Sequence, residues 1–264
     1  MIKSISLISL NVFSFRLFYE KEDTNVIDND KVELFYTIIK EYNPELLLLQ
    51  EDSIHKRSFY PPGYFKVSGY LRSNEGLMNS ILVREDSLQY ITFSDNTFLE
   101  SSRTKILKDQ MVDRTASIIF YKGLKICNLH LTGGRIDDTL FKEITYLRDR
   151  QVSVYKDFDI VAGDFNGNPV KLPITHPIYK NANKKDKQTF KEYFQSGHKV
   201  LIENGLVSFS LKQSTDIFGG NPDHIYYNPM ILQLLDVQVI KTIPLKLSDH
   251  NGIYVCLKGG PPPF

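Results

Sequence analysis

A carboxylate and a carboxamide stand two residues apart in the segment Gly163-Asp164-Phe165-Asn166, which directly follows the apolar run 158–162. A short apolar run bounded by glycine predicts a buried strand, and open α/β folds place their chemistry at the exits of such strands. One acid and one amide on the same face can orient a water molecule or hold a phosphate oxygen near a hard metal ion. Asp-x-Asn is also common turn chemistry, because both side chains bond their own backbone. Partners elsewhere in the chain are needed to decide between these two interpretations.

Other apolar segments of the chain also have polar side chains at the point where they end or begin. Taken singly, each has a structural explanation: a strand end, a solvated turn, a core histidine or a helix cap. Taken together, they form an oxygen-rich set with imidazoles, which suits Mg²⁺ or Mn²⁺ and a phosphoryl group. Zinc would instead favour Cys or clustered His. The candidate site residues are Asn11, Glu51, His130, Asp164, Asn166, Asp223, Asp249 and His250.

Composition sets the limits for this interpretation. The 264 residues can bury a sizeable core, and an apolar content of 42% with 24% charged residues is typical of a soluble globular protein. A net charge of +1 excludes a polycation that holds nucleic acid by bulk charge. The two cysteines, Cys127 and Cys256, lie in strand-like runs and suggest neither a disulfide scaffold nor a zinc site.

The N-terminal segment alternates apolar residues with Ser, as a strand does, and no signal-peptide cleavage pattern follows. No run has the length of a membrane span, so stable membrane insertion is not expected. We therefore predict an intracellular protein of the cytoplasm or nucleus, without a signal peptide and monomeric.

The hydrophobic pattern predicts many strands with a few helices, and hence α/β or α+β layers with mixed sheets. A capping box formed by Asp30 and Glu33 begins a helix that Pro44 ends. Further helices are predicted at 138–157, with Val154 on the buried face, and near 188–203, with a basic loop at 167–187 between them. Strands are predicted at 3–12, 46–50, 64–70, 78–84, 88–94, 115–121, 124–131, 158–163, 205–209, 223–228, 235–242 and 252–257.

The order of the polar motifs resembles the endonuclease/exonuclease/phosphatase superfamily, over nearly the whole chain from residue 3 to about 257. The resemblance implies an α/β four-layer sandwich, in which two mixed β-sheets pack face to face with helices on both outer faces. It also implies one catalytic domain at 1–258, followed by a flexible tail at 259–264. The motifs that carry the resemblance are Ser9-Leu10-Asn11-Val12, Leu49-Gln50-Glu51, Asn128-Leu129-His130-Leu131, Gly163-Asp164-Phe165-Asn166, Pro222-Asp223-His224-Ile225 and Ser248-Asp249-His250.

The resemblance further implies a metal centre that holds Mg²⁺ or Mn²⁺. Glu51 would be the main ligand, and Asn11 would help to hold the metal or its water molecules. Asp249 would be a second ligand or a support for the site.

A second group of residues would act on the phosphoryl group. Asp164 would orient the attacking water or handle a proton, and Asn166 would position water or phosphate. His250 would contact the scissile phosphoryl oxygen, while Asp223 would bond the far nitrogen of His250 and fix its tautomer. His130 would be a second phosphate contact.

The implied activity is Mg²⁺-dependent hydrolysis of phosphodiester bonds, most directly in nucleic acid, by a nuclease or a 5′-end phosphodiesterase of the kind used in DNA repair. The absence of Trp disfavours the inositol polyphosphate 5-phosphatases, whose signature places Trp-Cys near Asp223. His130 stands where exonuclease III-like nucleases usually carry Tyr. The segment 130–135, with Arg148 and Gln151, is similar to tyrosyl-DNA phosphodiesterases, although Thr132 replaces their acidic residue. The segment 163–169 is similar to deadenylases and deoxyribonucleases.

Two alternatives stay open at this point. A phosphodiesterase or phosphatase of phospholipids such as sphingomyelin would use the same site, but the sequence shows no basic amphipathic helix for a membrane surface. The other alternative is an inactive relative that serves as a binding module. The presence of every core polar residue of the family motifs argues against it.

The surroundings of the predicted site also allow two interpretations. Arg114 either adds charge there or forms a surface salt bridge. The aromatic segment 13–19 around Arg16 is either a stacking surface for bases or core. The remaining basic candidates for the rim are Arg72, Arg103, Lys105 and Lys108.

Overall fold

The computed structural model of the protein describes residues 4–20, 26–53, 58–70, 77–99, 114–133, 141–167, 183–209, 211, 213–215 and 221–260. The strands are β1 Ser4–Asn11, β2 Leu46–Ser53, β3 Tyr64–Ser68, β4 Leu77–Arg84, β5 Ile91–Phe98, β6 Thr115–Tyr121, β7 Leu124–His130, β8 Ile160–Asp164, β9 Val207–Ser208, β10 Asp223–Tyr227, β11 Leu232–Ile240 and β12 Gly252–Gly259. The helices are α1 Asn29–Tyr42, α2 Phe141–Ser153, α3 Lys184–Gln195 and α4 His198–Glu203, with 3₁₀ helices at Phe13–Phe18 and Glu85–Tyr90.

The described strands form two mixed sheets of six strands each. The first sheet has the order β11-β12-β1-β2-β4-β3, and the second has the order β5-β6-β7-β8-β10-β9. Each contains a single parallel pair at its centre, β1 with β2 in the first sheet and β7 with β8 in the second. Parallel neighbours end at the same edge of a sheet, so both sheets present two strand exits side by side.

The two sheets pack face to face through an apolar core that includes Leu7, Leu48, Ile126 and Ile160. On the outer face of the first sheet, Phe35 and Ile39 of α1 pack against its strands. On the outer face of the second sheet, Val152 of α2 and Leu201 of α4 pack in the same way. This arrangement of helix, sheet, sheet and helix layers confirms the four-layer sandwich that the family resemblance implies.

The helices depart from the sequence prediction in local details. Asp28, and not Asp30, caps α1, because its side chain accepts a hydrogen bond from the backbone N–H of Lys31 at 3.2 Å. The basic run 184–187 begins helix α3 and is not part of a loop. The single helix predicted at 188–203 is two helices, separated at Gly197, whose φ of 78° breaks the helical path. Val154 lies beyond the end of α2 and is exposed.

Several strand boundaries also differ from the predicted ones. The segment 88–94, predicted as one strand, begins within the 3₁₀ helix and becomes strand β5 only at Ile91. Strand β11 begins at Leu232, ahead of its predicted start. At the C-terminal end, Gly259 closes β12 and the Gly260 N–H donates to the Ile231 carbonyl at 2.9 Å, while 261–264 lie outside the described residues.

Candidate active site

The parallel pairs bring four of the predicted site residues to one edge of the sandwich. Asn11 ends β1 and Glu51 follows the Gln50 that pairs with it, so both stand at the exit of the first sheet. His130 ends β7 directly opposite Asp164 at the end of β8. Because the two sheets face each other, these four side chains converge from opposite walls of one cleft.

A bulge in β2 directs Glu51 into this cleft. The pairing of β2 with β4 shifts register between Leu49 and Asp52, and Glu51 has a φ of 54°, in the left-handed region. A β-bulge of this kind re-aims a side chain next to functional sites. The neighbouring Asp52 is fully buried and accepts hydrogen bonds from Ser58, Tyr60 and Ser80, which anchors the bulge.

Gly163 permits the close approach of β8 to β7 directly before Asp164. Its φ is 140°, and a Cβ at this position would lie 1.8 Å from the carbonyl oxygen of Leu129. Any side chain would therefore push the two parallel strands apart. The requirement for glycine here places Asp164 at a fixed height relative to His130.

Asp164 and Asn166 make the turn contacts expected of Asp-x-Asn. The Asn166 N–H donates to Asp164 Oδ1 at 2.8 Å, and Asn166 Nδ2 donates to the Leu131 carbonyl at 2.8 Å. Asn166 thus ties the end of β8 to the segment that follows His130. The turn interpretation of the motif is therefore correct, and the same turn holds the Asp164 carboxylate beside His130.

Asp164 lies at the centre of the cleft. Its Oδ2 is 3.2 Å from Asn11 Nδ2, 3.4 Å from His130 Nε2 and 4.0 Å from His250 Nε2. Burial alone would raise the pKa of this carboxyl, but the neighbouring imidazoles and the donors Asn166 and Asn11 outweigh it and lower the pKa. Asp164 is therefore an anion throughout the neutral range.

His250 forms a buried pair with Asp223. Asp223 begins β10 opposite Asp164, and its Oδ2 lies 2.8 Å from His250 Nδ1. Burial opposes the charge on His250, but Asp223, followed by Asp164 and Asp249, raises its pKa well above the ordinary value. Burial also raises the pKa of Asp223, to about 6. At neutral pH the pair is therefore an imidazolium held by a carboxylate.

A serine fixes the loop that carries His250. Ser248 Oγ donates to the backbone carbonyl of Asn11 at 2.6 Å and accepts the His250 N–H at 3.1 Å. The loop before β12 is thereby attached to the end of β1. This contact sets the position of Asp249 and His250 relative to the first sheet.

His130 has a different partner. Arg114 Nη1 lies 3.0 Å from His130 Nδ1. Burial, together with the charge of Arg114, lowers the pKa of His130 to about 3, although Asp164 acts in the opposite direction. His130 is therefore a neutral imidazole at physiological pH.

The carboxylates of the cleft repel one another. Burial raises the pKa of Glu51, and Asp164 and Asp249 add to this rise, which Arg114 partly offsets. Burial likewise raises the pKa of Asp249. A hard divalent cation between these oxygens would remove the repulsion, and carboxylate and carboxamide oxygens are the ligands that Mg²⁺ and Mn²⁺ prefer. The residues present therefore fit such a cation.

A second possible ligand set overlaps the first. Asp164, Asp223 and His250 each offer an atom within 4.8 Å of the others. In this set, however, the Asp223 oxygen and the His250 Nδ1 already share a 2.8 Å hydrogen bond. That contact favours the Glu51 side of the cleft for a cation, with Asn11 beside it.

Other sequence candidates lie outside the centre of the cleft. Phe15, Phe18 and Tyr19 are buried with α1, so the base-stacking interpretation is wrong for them and the core interpretation is correct. Phe13 is half-buried beneath the Arg16 guanidinium, 5.4 Å from its ring centroid. Four predicted basic rim positions, Arg72, Arg103, Lys105 and Lys108, lie outside the described residues.

Arg148 and Gln151 brace the segment after His130. Both are buried; Arg148 Nε donates to the Thr132 carbonyl at 2.7 Å, and Gln151 Nε2 donates to Thr132 Oγ1 at 2.9 Å. Arg148 also donates to the Tyr193 carbonyl of α3 at 3.1 Å. These two residues position backbone and do not reach the centre of the cleft.

Sequence reasoning missed the buried amides that join the sheets beneath the site. Gln50 and Asn128 are both fully buried, and Gln50 Nε2 donates to Asn128 Oδ1 at 2.6 Å across the sandwich. The available signal was an amide one residue before Glu51 and another two residues before His130, inside otherwise apolar strands. A buried polar group requires a partner, and the Gln50 Nε2 donor and the Asn128 Oδ1 acceptor partner each other.

The comparisons with solved structures identify the fold. The chain is similar to an endonuclease/exonuclease/phosphatase from Bacteroides vulgatus, at 15% identity and a TM-score of 0.62 over 97% of this chain and 99% of that one. Human nocturnin, solved with a bound sulfate anion, matches at 17% identity and a TM-score of 0.60 over 98% and 94%. An AP endonuclease from Archaeoglobus fulgidus matches at 16% identity and a TM-score of 0.54 over 95% and 98%.

These likenesses show that the chain has the endonuclease/exonuclease/phosphatase fold. No protein-family model and no curated protein sequence matches it. None of the helices that the structure describes combines the length and apolar character needed to cross a bilayer.

Proposed function

We propose that the protein is a divalent-metal-dependent phosphodiester hydrolase that acts on nucleic acid. The observation that carries this proposal is the convergence of Asn11 and Glu51 from one sheet with His130 and Asp164 from the other. Carboxylates and imidazoles from both sheets thus converge on one cleft. Hydrolysis of a phosphodiester needs both kinds of group, because negative charge develops on the phosphoryl oxygens and on the leaving oxygen.

Glu51 and Asn11 of the first sheet, with Asp249 of the loop attached to it, would hold Mg²⁺ or Mn²⁺. When bound, the cation would polarise the phosphoryl group and offset its developing charge. Burial and mutual repulsion raise the pKa values of Glu51 and Asp249, which is the electrostatic condition that a cation relieves.

Each of the remaining residues has a separate task. Asp164, an anion held by Asn11 and Asn166, orients the attacking water through a hydrogen bond. His250, positively charged through its contact with Asp223, donates from Nε2 to a phosphoryl or leaving oxygen. His130 supplies a second donor on the other side of Asp164.

Nucleic acid is our preferred substrate class over phospholipid. The AP endonuclease among the structures of similar fold is named for an activity on nucleic acid. The half-buried Phe13, with the exposed Arg16 over its ring, follows Asn11 and offers a planar surface with a positive charge beside the site. A phospholipid or small phosphomonoester substrate is the second candidate, because the cleft itself would accept any phosphate ester.

A substrate panel tests the proposal. The purified protein is incubated with Mg²⁺ or Mn²⁺ and single-stranded DNA, a 5′-tyrosyl oligonucleotide, RNA, sphingomyelin or an inositol phosphate. We expect a nucleic acid to be turned over fastest, and Glu51→Gln to raise the Mg²⁺ concentration required for half-maximal rate. Faster turnover of sphingomyelin would overturn the choice of substrate class while leaving the site assignment intact.

A matched control distinguishes the loss of a metal ligand from the loss of one negative charge elsewhere on the protein. Glu85, an exposed acid in the 3₁₀ helix that precedes β5, is replaced by Gln in parallel. This substitution removes the same charge at a distance from the cleft, so the Mg²⁺ dependence should stay that of the wild type.

A further inference from the structure

Arg114 is the one cationic side chain that the described residues place directly against an imidazole of the cleft. It precedes β6, and its backbone is fixed because its carbonyl accepts the Leu99 N–H at 2.9 Å. Its Nη1 lies 3.0 Å from His130 Nδ1. A guanidinium has only donors and keeps its proton in proteins. The nitrogen that faces it must therefore accept, which leaves the ring proton on Nε2.

We propose that Arg114 is a positioning residue that holds His130 in the neutral Nε2–H tautomer. His130 then serves the reaction as a neutral hydrogen-bond donor to a phosphoryl oxygen, and neither as a proton source nor as a metal ligand. The first part concerns the free protein alone. The second part rests on the proposed phosphodiester hydrolysis.

The geometry around Nε2 agrees with this assignment. The nitrogen lies 3.4 Å from Asp164 Oδ2 and 3.9 Å from Glu51 Oε1, so its proton points toward the centre of the cleft. A nitrogen that carries a proton cannot ligate a metal. A neutral imidazole that gave up this proton would become an anion beside two carboxylates. His130 therefore retains the proton and stabilises charge by donation.

The two histidines that flank Asp164 thus have opposite partners. His250 Nδ1 lies 2.8 Å from the carboxylate of Asp223, which accepts a hydrogen bond, whereas His130 Nδ1 faces the Arg114 guanidinium, which donates one. His250 becomes a cation and His130 stays neutral. Of the two, only His250 can release a proton to a leaving oxygen and remain a neutral ring.

The charged groups that face His130 come from every wall of the cleft. Arg114, His250 and Arg148 act against a charge on the ring, and Asp164 acts in favour of it. Glu51 completes the set from the first sheet. The buried ring and the direct contact with Arg114 place the balance on the neutral side.

The test observes the tautomer in the metal-free protein, without substrate. Proton–nitrogen correlation spectra of ¹⁵N-labelled imidazoles report which ring nitrogen carries a proton, and the loss of one signal set in His130→Gln assigns His130 among the six histidines. We expect wild type and Arg114→Lys to show a neutral ring protonated at Nε2 at pH 7. Arg114→Glu should move a proton onto His130 Nδ1, because the new carboxylate can only accept a hydrogen bond from that nitrogen.

The control is Arg150→Glu, which makes the same charge change on an exposed side chain of α2 that contacts Tyr146. Its His130 spectrum should match the wild type. A wild-type ring protonated at Nδ1, or an Arg114→Glu spectrum identical to the wild type, would overturn the proposal. If Arg114→Glu does not fold, the wild-type and Arg114→Lys spectra still decide the question.

A kinetic arm tests the role in the reaction. Arg114→Lys should keep kcat within about threefold of wild type, while Arg114→Glu should lower it at least ~10-fold, as the loss of one well-placed donor does. KM should change little in both variants. If the spectra agree but no phosphodiester is turned over, the proposed function fails and the tautomer assignment stands. Equal kcat in the two variants would reject the role in the reaction.

Discussion

Gln50 Nε2 lies 2.6 Å from Asn128 Oδ1, and this hydrogen bond joins the two sheets directly beneath the cleft. Asn128 Nδ2 in turn donates to the Leu49 carbonyl at 2.9 Å and to the Ser80 carbonyl at 3.0 Å. The apolar core below these residues packs without directional constraint. Because the site is divided between two sheets, these polar contacts determine how its two walls are aligned.

We predict that Gln50→Leu loosens this alignment. The change leaves the buried Asn128 Oδ1 without its donor, which should lower the free energy of unfolding by about 1–3 kcal/mol. It should also lower kcat, because Glu51 and Asp164 stand on different sheets. Urea unfolding and steady-state kinetics measure the two effects. Gln238→Leu on the exposed side of β11 is the control and should change neither. Unchanged kcat in Gln50→Leu would contradict the alignment role.

Among the glycines that the structure describes, Gly163 should be the one at which an added methyl group, as in Gly163→Ala, is most destabilising. The added Cβ meets the Leu129 carbonyl at 1.8 Å, at a φ of 140° that side chains rarely adopt. We expect a loss of more than about 3 kcal/mol in the free energy of unfolding. Gly123→Ala is the matched control, since its φ is 79° and nothing lies within 4 Å, so only about 1 kcal/mol should be lost. Equal losses in both variants would show that β7 and β8 tolerate separation.

The buried histidines behind the cleft should make the protein sensitive to acid. Burial lowers the pKa of His224 to about 4 and lowers that of His198 well below its ordinary value. The unfolded chain takes up these protons near pH 6.5 and the folded chain does not, so stability falls as the pH falls below about 6.5. His224 alone should cost roughly 2 kcal/mol between pH 7 and pH 5.

Comparing the free energy of unfolding at two pH values separates the titration of His224 from any change in packing. His224→Gln keeps a donor for the Asn221 carbonyl that His224 Nε2 contacts at 2.7 Å, but it does not titrate. Urea unfolding at pH 7 and pH 5 should therefore show a smaller acid loss in the variant than in the wild type. The same loss in both proteins would mean that His224 does not contribute.

Asp223 should act on the reaction through His250. We expect His250→Ala to lower kcat by at least ~10², a scale typical of such groups. Asp223→Asn should lower it as well, because an amide does not stabilise the imidazolium. The double variant should lose little more than His250→Ala alone, since residues that act as a unit are not additive. Losses that multiply in the double variant would give Asp223 a separate role.

The sequence predicts much of the fold because local pattern and tertiary structure agree in its strands. Leu46–Leu49 and the run before Gly163 are apolar on both faces, as central strands are, and the polar residues at their exits mark the cleft. The sequence pattern does not predict the structure where contacts between distant segments determine the local conformation. The bulge that re-aims Glu51 depends on the pairing of β2 with β4, and no local pattern encodes that pairing.

The contact between Arg114 and His130 escaped a definite prediction for a similar reason. Arg114 directly precedes β6, and only the antiparallel pairing of β6 with β7, with Ala116 opposite Leu129, places it beside His130. Sequence reasoning therefore left a site role and a surface ion pair equally open. The error at Val154 has another origin, since helix α2 ends one residue before it and helical periodicity no longer applies.

Hydrolysis of bis(p-nitrophenyl) phosphate with and without excess chelator tests the central claim most directly. We predict that the wild-type protein releases nitrophenol in Mg²⁺ or Mn²⁺, that chelator abolishes the release and that added metal restores it. Asp164→Asn, folded as judged by circular dichroism, should lower kcat by at least ~10². Turnover undiminished in chelator, or a wild-type rate in Asp164→Asn, would contradict the assignment of this cleft as a metal-dependent phosphodiesterase site.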